Sequence, residues 1–445
     1  MKRHLVNAAY GALDYVSYPF GMLAIAPIVL HKSGAAEYGL WMIATAVVSA
    51  GGIIASGFSD AGMQHIATLR GMNHTTQIGQ MIRALFGINL ALGCLVALSV
   101  WIGAPYAARH IAAAHVMPVS ECLTSLRIAS VIILMRAIEA VSATAQRAFE
   151  EYRHNVRIST ASRLLTLASA AILSAFDMHI DRIMLATAAI FAGNTYLQFR
   201  SLKKLLGDIL LRPAFRIREI RVLAVTGIFV WLQAVGSVIF RQLDRILLGL
   251  SLGAAAVAPY SISIQFAEPL FGLTASGFSF FFPYLSSRVS MSSSVGLRRS
   301  VLKAFAGNLL LVSVGTGVQL IFGARFLLVW AGPAVAHQAS SVFPWIVLAS
   351  ACSGLSVTGT YALQALGQFR TVACISLGSR SAVLVLMLYL LHIRGLQGLA
   401  IARLCYGAAM LLVYVPMVRA LGWAQKRNAV HKRTAVEELQ EGAHL

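Results

Sequence analysis

Ala55–Ser59 reads ASGFS, and Ala275–Ser279 reads ASGFS again, 220 residues later in a chain of 445. That interval is close to half the chain, so the pair raises an internal duplication, and a duplication predicts further matches at the same spacing. They occur. GAAEYG from Gly34 faces GAAAVAPY from Gly253, Arg83-Ala84 faces Lys303-Ala304, Asn89-Leu90 faces Asn308-Leu309, and Gly103-Ala104 faces Gly323-Ala324, all at 219 or 220 residues. Farther on the register drifts to 217, where Tyr152-Arg153 meets Phe369-Arg370 and Ile158-Ser159-x-x-Ser162-Arg163 meets Ile375-Ser376-x-x-Ser379-Arg380. Self-matches produced by apolar composition would scatter over many offsets. The chain therefore reads as one unit written twice: an N-lobe over 1–212, a C-lobe over 213–421 and a polar tail over 422–445.

Composition says where such a chain resides. Apolar residues make up 58% and charged residues only 12%, with a mean hydropathy of +0.74, which excludes a soluble globular domain. Twelve apolar runs, each about long enough to cross a hydrocarbon core, lie near 7–30, 38–60, 82–103, 122–145, 156–176, 182–199, 222–248, 256–283, 303–324, 341–365, 372–392 and 398–420, six in each half. The expected fold is an all-α polytopic membrane protein of about 12 transmembrane helices in two homologous six-helix lobes. Lys2 and Arg3 precede the first run as in a signal peptide, but the run is long and lacks a convincing cleavage site, so it reads as a retained span.

The formal net charge of +20 would suggest nucleic acid in a soluble protein, but its distribution argues otherwise. With the N-terminus inside, the loops on the inner face hold 24 Lys and Arg, and the opposite face only Lys32, Arg109, Arg182, Arg325 and Arg394. The positive-inside rule then places both termini in the cytoplasm and predicts no nucleic-acid partner. The richest inner connection, Arg200–Arg221, falls where the halves join. Leu202, Leu205, Leu206, Ile209 and Leu210 form one apolar stripe with Lys203, Lys204 and Asp208 off it, so an interfacial helix over about 201–211, resting on anionic lipids, is expected before Pro213. It reads either as a mechanical tether or as a simple anchor. The five cysteines show no metal spacing and read as small core residues, and the scattered histidines receive no role. No metal site and no catalytic residues are expected.

Charges at depth carry the functional reading. Seven arginines fall inside apolar runs: Arg127, Arg136, Arg163, Arg241, Arg245, Arg380 and Arg403. Each costs about 2.5–3.5 kcal/mol facing lipid at mid-bilayer, so several must face protein or a watery cavity. The carboxylates at comparable depth number five: Asp14, Asp60, Glu139, Asp244 and Glu268. Arg136 and Glu139, and Arg241, Asp244 and Arg245, share helix faces and read as local ion pairs or as site residues. Arg127, Arg163, Arg380 and Arg403 have no carboxylate within four residues. The repeat-related Arg163 and Arg380 read as a two-sided phosphate clamp, with snorkelling to headgroups the alternative. Glu268, directly before Pro269 and with no basic residue within four positions, is the leading protonatable carboxylate, against the alternative of an acid satisfied by a neighbouring helix.

The two sixes, together with PFGMLAIAPIVLHKSGAAEYGLW from Pro19, ASGFSDAGMQHIATLRG from Ala55 and YALQALGQFR from Tyr361, resemble the polysaccharide-biosynthesis flippases, which carry O-antigen or exopolysaccharide repeat units. These belong to the multidrug/oligosaccharidyl-lipid/polysaccharide exporter superfamily. The resemblance implies a V-shaped pair of lobes around a cationic central cavity in the bacterial inner membrane. It implies alternating-access transport of undecaprenyl-pyrophosphate-linked oligosaccharide, H+ or Na+ as the coupling ion if there is one, no other cofactor, and a polysaccharide polymerase with its chain-length machinery as partners. A cation or drug antiporter of the same superfamily is the nearest rival, disfavoured by the excess of arginine. A membrane-embedded polymerase or glycosyltransferase is the rival of another class, disfavoured by the absence of a large external loop and by the matched halves.

Overall fold

In a computed structural model the described residues are 2–72, 74–112, 117–149, 151–207, 212–278, 281, 285 and 294–420. Among them the chain forms α1 (Lys2–Ala55), α2 (Ser59–Gly71), α3 (Thr75–Ile111), α4 (Val119–Ala148), α5 (Tyr152–Ala175), α6 (Ile180–Leu206), α7 (Ile217–Leu252) and α8 (Ala254–Gly277). The remainder forms α9 (Ser294–Ala331), α10 (Pro333–Ser340), α11 (Phe343–Ala365), α12 (Phe369–Met410) and a 3-10 turn over Leu411–Val413. No strand occurs among the described residues. The protein is an all-α, polytopic membrane protein. Helices satisfy their backbone groups internally, and a lipid-facing chain has no water with which to do so.

Each of the twelve apolar runs falls on a helix, although residues 279, 280, 282 and 283 of the eighth lie outside the described residues. Run one and most of run two lie in α1, which the non-helical Gly34 divides into two helices, so that one element carries two spans. Runs eleven and twelve likewise share α12 and the helical turns that follow it. Seven segments among the described residues are long and apolar enough to cross a membrane: Gly21–Ala55, Thr75–Ile111, Val119–Ala148, His154–Ala175, Gly296–Ala331, Phe343–Ala365 and Phe369–Ala420.

Some backbone conformations recur at the spacing of the sequence matches. Gly34 and Gly253, 219 residues apart, adopt φ/ψ of 82°/172° and 81°/172°, breaking the helix between runs one and two and between runs seven and eight. Asp177 and Gly395, 218 apart, both have φ of 55°, and Asp177 is the one non-glycine with positive φ among the described residues. Asn89 and Asn308 are both fully buried. Asn308 Nδ2 donates to the Gly354 carbonyl at 3.0 Å and to Thr358 Oγ1 at 2.9 Å, tying α9 to α11. Only glycine adopts the Gly253 conformation without strain, and a Cβ there would also lie 3.3 Å from the Ile111 carbonyl oxygen. Gly253→Ala is expected to destabilise the protein by about 1–3 kcal/mol, read as a lowered thermal unfolding midpoint in detergent; an unchanged midpoint would show that the backbone relaxes to another conformation.

Contacts divide the chain into two compact units, Met1–Ile262 with Trp330–Val335, and Ser263–Val329 with Ala336–Leu445. In the first unit α3 and α4 pack along their lengths, α6 lies on α4, and α7 packs on α1, α2 and α3. A buried amide chain crosses it: Gln146 Nε2 on α4 donates to Gln198 Oε1 on α6 at 2.8 Å, and Gln198 Nε2 donates to Asn155 Oδ1 on α5 at 2.9 Å. The apolar stripe expected to lie in the membrane interface at 201–211 is, over 201–206, the last turn and a half of α6. Leu202 and Leu206 are buried with Ile82, Val141 and Leu223 rather than facing lipid. An amphipathic stripe has the same period whether it packs on protein or on headgroups, so periodicity alone did not separate the two. Residues 208–211 lie outside the described residues.

In the second unit α11 packs along α12. Here α8 remains helical through Pro269, and neighbouring side chains donate to the carbonyls around it. Gln319 Nε2 reaches the Phe266 oxygen at 2.9 Å, Ser350 Oγ the Ala267 oxygen at 2.8 Å, and the Tyr361 hydroxyl the Ala275 oxygen at 3.1 Å. Pro269 lacks the N–H that would bond the Gln265 carbonyl, and the donors to the adjacent Phe266 and Ala267 carbonyls brace α8 on that side from neighbouring helices.

Candidate functional site

The second unit brings together two sequence candidates from opposite lists. Arg403, on α12, donates from Nη2 to Glu268 Oε1, on α8, at 2.8 Å. The Arg403 side chain is 15% exposed and that of Glu268 49%. Glu268 is therefore neither isolated nor deeply buried, and Arg403 has a carboxylate after all. Both expectations rested on windows of four residues, whereas the pair is separated by 135. On the same helix, Arg380 is half-buried, and its Nε and Nη1 are buried with no hydrogen-bond partner among the described residues. A guanidinium presents five donors in a planar fork. At Arg380 three of them, one on Nε and two on Nη1, are without a partner among the described residues.

The first unit holds the other candidates, and aromatic faces rather than carboxylates engage two of them. The Arg127 guanidinium stands 4.9 Å from the Trp101 ring centroid, with its Nε buried and unpartnered among the described residues. Arg136 stands 5.5 Å from the Phe191 centroid, packed where Gly52 leaves room for it. Cation–π contact of this kind holds a guanidinium at depth while leaving N–H donors in the ring plane unspent. Asp244 is fully buried and accepts from the Tyr260 hydroxyl at 2.9 Å and from the Arg245 backbone N–H at 2.8 Å. Arg245 Nη1 donates to Gln242 Oε1 at 3.1 Å, while Arg241 is exposed. Arg163 and Glu139 are half-buried. Asp60 is exposed on the rim of a small open pocket of about 50 Å³ lined by Phe58, Gly227 and Trp231. The Asp14 side chain lies outside the described residues.

Two findings depart from the sequence reading. Of the five cysteines only Cys122 is fully buried; Cys94, Cys374 and Cys405 are exposed rather than packed in the core. A cluster with no sequence precedent joins Glu37, Glu121 and His179. His179 Nδ1 lies 3.1 Å from Glu37 Oε1, and this hydrogen bond pushes the imidazole above its ordinary pKa. The only available signal was that each residue sits at a helix break or helix start near one end of its span.

Comparison with known proteins bears on this arrangement. A model described as "Polysaccharide biosynthesis protein" matches residues 34–327. The chain belongs to that family. It is 28% identical over 192 residues to the uncharacterized membrane protein EpsK of Bacillus subtilis (strain 168), a match covering 42% of this chain and 37% of the relative, so it spans well under half of that protein's length. Among solved structures, the lipid II flippase MurJ in an inward closed conformation superposes with a TM-score of 0.70 at 13% identity, covering 96% of this family member and 91% of MurJ. An inward-facing multidrug resistance MATE family transporter of the MOP superfamily gives a TM-score of 0.62 at 14% identity, covering 95% and 99%. At such identities the likeness establishes a shared fold. It leaves the cargo to be argued from side chains.

Proposed function

We propose that this chain is a flippase, not an enzyme, which moves undecaprenyl-pyrophosphate-linked oligosaccharide repeat units from the inner to the outer leaflet of the bacterial cytoplasmic membrane by alternating access, for surface polysaccharide assembly. Family membership supports the pathway. The observation that carries the cargo is Arg380, whose buried and unspent donors suit the oxygens of a diphosphate, which arginine grips in bidentate fashion. Arg127 in the first unit supports it in the same way. The polysaccharide polymerase and its chain-length machinery are the proteins expected to receive the product.

An antiporter of drugs or cations is the alternative that the shared MATE fold leaves in play. Cations favour an anionic site, and here arginines outnumber carboxylates at depth while Arg403 occupies Glu268. Proteoliposomes separate the two readings. A labelled prenyl-pyrophosphate oligosaccharide placed in one leaflet becomes accessible to an impermeant reagent on the other side if the chain flips it. Transport of an organic cation without movement of the lipid would favour the antiporter.

We place both termini and the 200–221 connection in the cytoplasm. Arg212 and Arg109 are exposed, so single cysteines at these positions, in an otherwise cysteine-free chain, suit labelling of intact cells. Position 109 is expected to react with an impermeant reagent and position 212 to be protected; the opposite pattern inverts the topology.

A further inference from the structure

We propose that Glu37, Glu121 and His179 bind one divalent transition-metal cation of the zinc class, at the end of the first unit where α1 resumes after Gly34 and where α4 and α6 begin. Their ligand atoms lie within 4.8 Å of one another, although the residues come from three separate stretches of the chain. Glu37 follows the break in α1, Glu121 occupies the first turn of α4, and His179 is the residue before α6.

The observation that points to a ligand is the carboxylate of Glu121. Its side chain is 10% exposed, and its Oε1 is buried with no hydrogen-bond partner among the described residues. The nearest positive group, His179 Nδ1, stands 3.8 Å away, beyond hydrogen-bond reach, and that nitrogen is already engaged by Glu37 at 3.1 Å. Asp181, in the first turn of α6, adds a third negative charge to the field at His179. Lys32, a cation of the same α1–α6 end, is directed to Asp177 at 4.0 Å. The Ile180 backbone N–H serves the Glu121 carboxylate and the Arg182 backbone N–H serves Asp181, which leaves Glu121 Oε1 as the buried carboxylate oxygen without a hydrogen-bond partner among the described residues, and such an oxygen is costly.

The donor set selects the ion. One imidazole nitrogen and two carboxylate oxygens form a three-ligand set of the kind that zinc accepts, with a fourth position left for water. Calcium takes six to eight oxygens, and magnesium a near-octahedral oxygen shell, neither of which three side chains with one nitrogen supply. Tetrahedral zinc with ligand distances of about 2.1 Å needs donors about 3.4 Å apart. The two distances to His179 Nδ1, 3.1 and 3.8 Å, bracket that value, and with all three ligand atoms within 4.8 Å of one another, side-chain rotation would close the set around the ion. Bound there, the ion would tie three helix ends of one unit to each other.

The test uses the full chain, purified in detergent, stripped of metal and titrated with Zn2+ at neutral pH. One zinc per chain is expected by elemental analysis, with affinity at least tenfold weaker in His179→Ala and in Glu121→Gln. Zinc should raise the unfolding midpoint of the wild type and of neither variant. The His179 side chain is 72% exposed, so its removal spares the packing and keeps the comparison between folded proteins. Equal zinc binding by wild type and His179→Ala would place the metal elsewhere and overturn the proposal. So would failure of the wild type to take up zinc, which would leave an imidazolium–carboxylate ion pair only. Displacement of zinc by an equal concentration of Ca2+ or Mg2+ would overturn the zinc-class assignment. None of these outcomes bears on which lipid the chain transports.

Discussion

Replacing Arg380 by alanine is expected to lower export of lipid-linked oligosaccharide by about 10- to 100-fold at unchanged membrane levels of the protein. A hydrogen bond from a charged donor contributes about 1.5–3 kcal/mol, and each ~1.4 kcal/mol is tenfold in affinity. In Arg380 two buried nitrogens lack partners among the described residues, so a ligand that occupied them would lose that interaction outright. Lysine keeps the charge but presents one compact ammonium in place of a planar fork, so Arg380→Lys should fall between alanine and wild type. Arg163→Ala, at the place related by the repeat, should produce a loss of the same kind, because Ile158-Ser159-x-x-Ser162-Arg163 and Ile375-Ser376-x-x-Ser379-Arg380 are the same motif. The measurement is the rate of lipid-linked sugar translocation in proteoliposomes. Full activity in the Arg163→Ala, Arg380→Ala double variant would demote both residues to headgroup anchors.

Glu268→Gln and Arg403→Ala are each expected to slow net export by about tenfold, the scale of a coupling free energy of 1–3 kcal/mol, and combining them should cost little more than either alone. The basis is their 2.8 Å contact: residues that act through one hydrogen-bonded pair lose the same function whichever partner is removed. Stability should barely change, since Glu268 is half-exposed and such a pair contributes about 0–1 kcal/mol. Glutamine keeps the shape of Glu268 without its charge, so loss of dependence on the pH gradient in Glu268→Gln would assign coupling to this carboxylate. Independent, multiplicative losses in the double variant would separate the two roles. Wild-type rate and gradient dependence in Glu268→Gln would move coupling to Asp14, Asp60, Glu139 or Asp244, or remove protons from the mechanism.

The class of fold was legible because it depends on local properties repeated many times. Apolar run length reports on a bilayer of fixed thickness, and the duplication leaves matched residues at 217–220 spacing that the structure returns as matched backbone at Gly34 and Gly253. Charge at depth was legible for the same reason: a guanidinium within an apolar run is costly wherever its helix is placed, and all seven arginines could be named from the chain alone. What such a charge meets was not. Arg403 and Glu268 lie 135 residues apart, Arg127 faces Trp101 across two helices, and the stripe through Leu202 and Leu206 faced core instead of headgroups. Glu37, Glu121 and His179 carry no shared spacing at all. Helical periodicity relates residues within about one turn, whereas partners on different helices are selected by packing, and only the tertiary structure decided which carboxylate answers which cation.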